Sequence, residues 1–118
     1  MQVRTRTSPV VLEDAMDAIA SPRRRQILRL VWDAERSAGE IAAVSDVSWP
    51  AVSQNLGVLK RSGLVTERRA GTRRYYRADR LALGPLEVIL REMWVRDVGR
   101  LKELAEREAR SRRRRRHD

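Results

Sequence analysis

The sequence predicts a mainly α fold with one small β-hairpin, about five helices and a two-stranded wing, from three observations. Residues 48–76, SWPAVSQNLGVLKRSGLVTERRAGTRRYY, read as a helix that stops at a glycine and leads directly into a basic hairpin. Apolar residues on either side recur at helical spacing. Positive charge is gathered in that middle unit and in the terminal residues: residues 48–80 carry eight Lys or Arg against two acids, net +6, and residues 110–118 carry +5, whereas residues 1–47 are neutral and residues 81–109 carry −1. This is the layout of a winged helix-turn-helix, with a formal charge of +10 on 118 residues favouring a polyanionic partner.

The first helix is expected over residues 9–20, where Leu12, Ala15, Met16 and Ile19 fall at i, i+3, i+4 and i+7 and form one stripe. Ser21 and Pro22 restart the chain. A second helix to about Ala34 turns Ile27, Leu28, Leu30 and Val31 inward, with Arg23, Arg24 and Arg25 in its first turn. Those arginines oppose the helix dipole, so they are either solvated at small cost or meet phosphates. Ser37 and Glu40 have capping-box spacing and open a short third helix holding Ile41, Ala42 and Val44, and Ser45, Asp46 and Val47 turn the chain.

In the fourth helix Ser48 can cap the free amides, Pro50 suits the first turn, and Gly63 can take the left-handed conformation that ends it. Val52, Leu56 and Leu59 share its core face. The opposite face centres on Pro50, Gln54, Gly57 and Arg61 with Ser53 at its flank, small and polar enough to approach base edges. Gly71 supplies the tight turn of the hairpin, and Tyr75 and Tyr76 alternate along its return strand, one toward the core and one outward.

The last helix, about residues 83–110, carries Leu86, Leu90, Met93, Trp94, Val98, Leu101, Leu104 and Ala105 as a long apolar band. One small core cannot cover it all. The surplus implies a homodimer in which Leu12, Met16 and Ile19 of the first helix join the interface, setting two recognition helices roughly 34 Å apart on a near-palindromic site. Residues 1–8 are expected as a flexible arm. Residues 111–118, dominated by arginine, are expected to be disordered through mutual repulsion.

Absences narrow the function classes. There is no cysteine, so thiolate metal sites and disulfides do not arise. No apolar run approaches the roughly 20 residues of a membrane span, and the N-terminal residues lack a signal-peptide core, so a cytoplasmic, nucleoid-associated protein is expected. With no histidine inside the fold and no glycine-rich phosphate cradle, no catalytic constellation assembles; no enzyme activity and no cofactor are expected.

The block VSWPAVSQNLGVLKRSGLVTERRAGTRRYYRAD resembles the signature of the ArsR-type, or arsenic-repressor-like, winged helix-turn-helix transcription regulators. The likeness extends upstream through PRRRQILRLV and SAGEIA and downstream through LREMWVRDVGRLKELAEREA. It implies a homodimer that reads duplex DNA and usually represses transcription until an effector releases it. The family's small-residue and Ser-Gln stretch falls on Ala51, Ser53 and Gln54, and its wing on residues 68–74. The metal-sensing cysteines and histidines of some relatives are missing, and the effector is unknown. Carboxylates Glu87, Glu92 and Asp97 interleave with Arg91, Arg96 and Arg100 and read as solvated helix pairs.

The expected DNA-binding set is therefore Ser48, Trp49, Pro50, Ala51, Ser53, Gln54, Asn55, Gly57, Lys60 and Arg61 on the helix, with Arg68, Arg69, Thr72, Arg73 and Arg74 on the hairpin. Three members have two readings. Asn55, where many relatives have histidine, either pairs with an adenine edge or hydrogen-bonds local backbone. Gly57 either admits close approach to a phosphate or is a neutral change at an exposed position. Trp49 either touches a thymine methyl or staples the inter-helix turn by packing toward Val47 or Ile41. The function expected is a homodimeric, sequence-specific repressor; the alternative is a sequence-tolerant nucleoid- or RNA-associated basic protein.

Overall fold

The computed structural model describes residues 11–117, with the side chain of His117 outside the description. The elements are α1 (Leu12–Ile19), α2 (Pro22–Leu30), β1 (Arg36–Ser37), α3 (Ala38–Val44), α4 (Trp49–Arg61), β2 (Val65–Ala70), β3 (Arg73–Ala78), α5 (Arg80–Leu83) and α6 (Leu86–His117). The expected N-terminal arm and the proline start of the first helix lie outside the described residues. The strands form one antiparallel sheet in the order β1-β3-β2.

Local signals place the ends of the central helices. Ser37 completes a reciprocal capping box with Glu40. Ser48 Oγ accepts from the Ala51 amide to open α4. At the other end Gly63, with φ of 77°, lets its own amide donate to the Lys60 carbonyl while the Leu64 amide donates to that of Leu59, a Schellman closure. The chain is thereby turned straight into β2. Gly71, with φ of 64°, takes the first position of the two-residue loop between the paired Ala70 and Arg73, where positive φ matches the twist of the strands.

Two elements depart from the expected count. The two-strand wing gains β1, which pairs Arg36 with Tyr76 and Ser37 with Tyr75; two residues are too few to show a strand period. A single turn, α5, is capped by Asp79 and ended by Gly84 before α6 begins at Leu86. At the far end α6 continues through residues 111–117, where a disordered tail was expected. Glu108 offsets the repulsion there by pairing with Arg112 and Arg115, and arginine is itself a good helix former.

The core gathers Ala15, Ile27, Leu28, Val31, Ile41, Val52, Leu56, Leu59, Leu64, Leu83 and Leu90 between the helices and the root of the sheet. Trp32 meets Trp94 edge to face, with ring centroids 5.1 Å apart. Of the arginines opening α2, Arg23 is exposed, in keeping with the solvated reading, while Arg24 and Arg25 do neither of the things expected of them. Arg24 Nε donates to the Ala18 carbonyl, and Arg25 donates to those of Ile19 and Ala20, so together they satisfy the C-terminal carbonyls that α1 cannot pair within itself. Arg25 also grips Asp97 of α6 with two bonds of 2.8 and 2.7 Å, while its own carbonyl accepts from the Trp94 indole at 2.9 Å. Asp97 is thus a tie between helices rather than a solvated i,i+4 partner. Glu87 keeps the expected surface role with Arg91 and also pairs with Arg80.

The hydrogen bonds from Arg25 hold the Asp97 carboxyl below the usual carboxylate range. A depressed folded-state pKa contributes stability that is present above the unfolded value and lost as pH falls through the folded one. Asp97→Asn is expected to cost about 1–3 kcal/mol at pH 7, less than a fully buried pair because the Asp97 side chain remains 30% exposed. Denaturant melts should show the gap between wild type and variant closing as pH drops below about 4. A gap unchanged down to pH 2 would place the stabilisation in packing instead of charge.

Candidate nucleic-acid interface

The core face of α4 buries Val52, Leu56 and Leu59 and leaves Pro50, Ser53, Gln54 and Arg61 exposed. The wheel read from the sequence therefore has the orientation of the helix in the fold. Ala51 is half-buried against the core and Ser48 is occupied as the cap. The Asn55 amide donates to the Ala51 carbonyl at 2.8 Å, which is the local-backbone reading of that residue. Trp49 is exposed, yet its ring lies over Gly39 at the start of α3; a Cβ on Gly39 would stand 3.0 Å from the ring edge. The indole staples the two helices of the pair across glycine, its contact being Gly39 where Val47 or Ile41 was expected. At Gly57 a Cβ would come within 3.3 Å of the Arg61 guanidinium, so the missing side chain lets Arg61 lie back along its own helix.

The hairpin stands beside α4 and the two enclose a groove of about 990 Å³. Ser53, Gly57, Lys60 and Arg61 line it from the helix, Thr72, Arg73, Arg74 and Tyr76 from the wing. Arg69 stands exposed on the wing strand and joins the cluster at its rim. Arg68 is set apart from its expected role: it points to the other face of β2, makes a two-pronged ion pair with Glu35, and stacks on Tyr75 with its guanidinium carbon 4.9 Å from the ring centre. Strand alternation explains this, since residues 68 and 69 must face opposite ways.

Sequence reasoning missed Glu67. Its side chain is only 5% exposed, and it meets Lys60 of α4, Arg69 at 3.3 Å and Arg74 at 3.5 Å. Burial pushes its carboxyl up, but the bond from Lys60, with help from Arg69 and Arg74, outweighs that and holds it below the ordinary range. The signal was there in the alternation: Val65, Glu67 and Arg69 share one face, and Val65 belongs to the core.

The residues expected at a dimer interface divide in two. Ile19, Leu86, Leu90 and Trp94 are buried in the chain's own core, with Met93 half-buried against it. Leu12, Met16, Val98, Leu101 and Leu104 are exposed, and Val88, Ile89 and Val95, which the sequence reading did not single out, join them. The band on α6 was thus read too uniformly: its first turns spend one face on the core. Among the described residues there is no cluster of groups able to hold a metal ion, and no helix is long and apolar enough to cross a membrane.

Comparison with known proteins agrees with this architecture. Residues 21–67, spanning α2 through the first half of β2, match the family described as bacterial regulatory protein, arsR family. HTH-type transcriptional regulator Rv2034 of Mycobacterium tuberculosis is 43% identical over 82 residues, covering 70% of this chain and 77% of that one. Transcriptional repressor SdpR of Bacillus subtilis is 34% identical over 65 residues, covering 55% and 72%. The solution structure of the homodimeric winged helix-turn-helix DNA-binding domain of Mb0332 from Mycobacterium bovis superposes with a TM-score of 0.59 at 36% identity, covering 71% of this chain and 75% of that one. With a winged helix-turn-helix fold, the basic groove between its reading helix and its wing, and these relatives, the chain belongs to the arsR family of bacterial transcriptional regulators.

Proposed function

We propose that the protein is a homodimeric, sequence-specific repressor that places α4 in the major groove of duplex DNA and its wing on the backbone or adjacent minor groove. The observation that carries this reading is the outward face of α4: Ser53 and Gln54 are exposed, donor-and-acceptor side chains short enough to reach base edges, and Arg61, Arg73 and Arg74 flank them. The homodimeric domain from Mycobacterium bovis and the repressor from Bacillus subtilis support the state and sign of regulation. The exposed apolar residues of α1 and of the outer face of α6 give a second copy something to cover. Two such copies favour a near-palindromic operator.

Gln54→Ala is expected to relax preference at one base pair by about 1–3 kcal/mol, read by binding to a panel of singly changed duplexes. Arg73→Ala should weaken all duplexes together and reduce the salt slope by about one unit. A Gln54→Ala protein with its preferences intact at every position would reverse the orientation proposed for α4.

Leu101→Glu places a charge on the exposed apolar face of α6. Sedimentation is expected to show monomers and reduced operator affinity; an unchanged dimer would move the interface elsewhere.

A sequence-tolerant reading finds its support in residues 112–116, five exposed arginines at the end of α6. Removing residues 111–118 is expected to lower affinity for specific and scrambled duplexes alike, by a factor that shrinks as salt rises. Loss confined to the specific duplex would give that segment a part in readout.

A further inference from the structure

A buried acid is out of place beneath a surface built to meet phosphate, and Glu67 is one. We infer that Glu67 is a positioning residue for DNA binding: its carboxylate ties the reading helix to the wing through Lys60, Arg69 and Arg74, and it removes one unit of charge from what the groove offers to phosphate. The inference rests on the DNA-binding reading above.

The pairing of β2 with β3 sets Arg69 directly opposite Arg74. Like charges facing across a ladder repel, and these two carry much of the wing's charge. Glu67 lies two residues before Arg69 on the same face, so one of its oxygens, Oε1, reaches both guanidinium groups while Oε2 meets the Lys60 ammonium. The layering matters as much as the pairing. Glu67 is 5% exposed, whereas Lys60, Arg69 and Arg74 are 28%, 68% and 54% exposed, so the acid lies underneath and the cations face outward.

An arginine has five N–H donors and a lysine three. The three cations can therefore hold Glu67 and still present donors to an incoming phosphate. Their directions are set before DNA arrives, and so is the distance between α4 and the wing. Lys60 is the only one of the three on α4; without the carboxylate this bond between α4 and the hairpin is gone, and two facing arginines push apart. The protein would then hold phosphate more strongly and place its bases less well.

The test uses full-length protein on a duplex selected from a random pool and on its scrambled counterpart, at several salt concentrations. Glu67→Gln is expected to steepen the salt slope by about one unit and raise affinity for the scrambled duplex at low salt. The ratio of selected to scrambled affinity should fall by about tenfold, the order of one lost base contact. Glu87→Gln makes the same change in net charge on α6 and should alter neither quantity. The double variant Glu67→Gln with Lys60→Gln restores the net charge of the groove and removes the ammonium that Glu67 held, so it also serves if the single variant does not fold. Its slope should return to the wild-type value while discrimination stays low.

An unchanged slope and ratio in folded Glu67→Gln would overturn the inference. So would equal shifts in Glu87→Gln, or recovery of full discrimination in the double variant. Wild-type protein that failed to prefer the selected duplex would overturn the DNA-binding reading itself, and this inference with it.

Discussion

The grip of Arg25 on Asp97 ties the start of α2 to the middle of α6, and the same guanidinium reaches back to the end of α1. One guanidinium closes the carbonyl end of α1, holds the middle of α6, and sits on a residue whose own carbonyl anchors the Trp94 indole. A cation at the start of α2 is unfavourable for that helix taken alone. It is tolerated because the same group satisfies acceptors that α1 would otherwise leave bare in a buried corner, where an unmade bond costs about 1–3 kcal/mol. The helix pair that carries the reading surface rests on the frame so formed, since α4 packs against α2 and α1 as well as on α3.

What was legible in the sequence is what local chemistry determines. The capping box at Ser37, the start at Ser48, the stop at Gly63 and the turn at Gly71 each depend on residues within a few positions of one another, and each stands where the sequence put it. The outward direction of Ser53 and Gln54 follows from helix period alone. Arg25 and Arg68 were misread for the opposite reason: their partners lie 72 and 33 residues away, and a charge in sequence gives no hint of which distant group will neutralise it. Trp94 was assigned to a partner subunit because apolar period shows that a face must be covered without showing by what. In the fold it is covered by α2 of the same chain.

The candidate interface combines two kinds of polar side chain with different demands. Gln54 and Ser53, which the proposed function sets against base edges, are exposed. Lys60, Arg69 and Arg74 are constrained, each held to Glu67 at one end. Arg68 is constrained still further, by Glu35 behind it and Tyr75 beneath it, and stiffens the strand it belongs to. Asn55 and Trp49 likewise give their polar or aromatic surface to the α3–α4 pair, through the Ala51 carbonyl and Gly39. Rigid neighbours around a small set of uncommitted side chains reduce the ordering that binding must impose.

The length of α6 has a mechanical consequence. Its 32 residues make a rod of about 48 Å, and the body of the domain holds only the part up to Asp97, through Leu86, Leu90, Trp94 and the Arg25 grip. The arginines near its end stand about 28 Å beyond that fulcrum. A tilt of about 10° at the fulcrum swings them through about 5 Å, close to one helical turn, while leaving α4 and the wing where they were. Whatever packs against the outer face of α6 thereby also sets where this distant cluster of positive charge points, so that a change of a few degrees in subunit packing is converted into a change in the reach of the molecule's electric field.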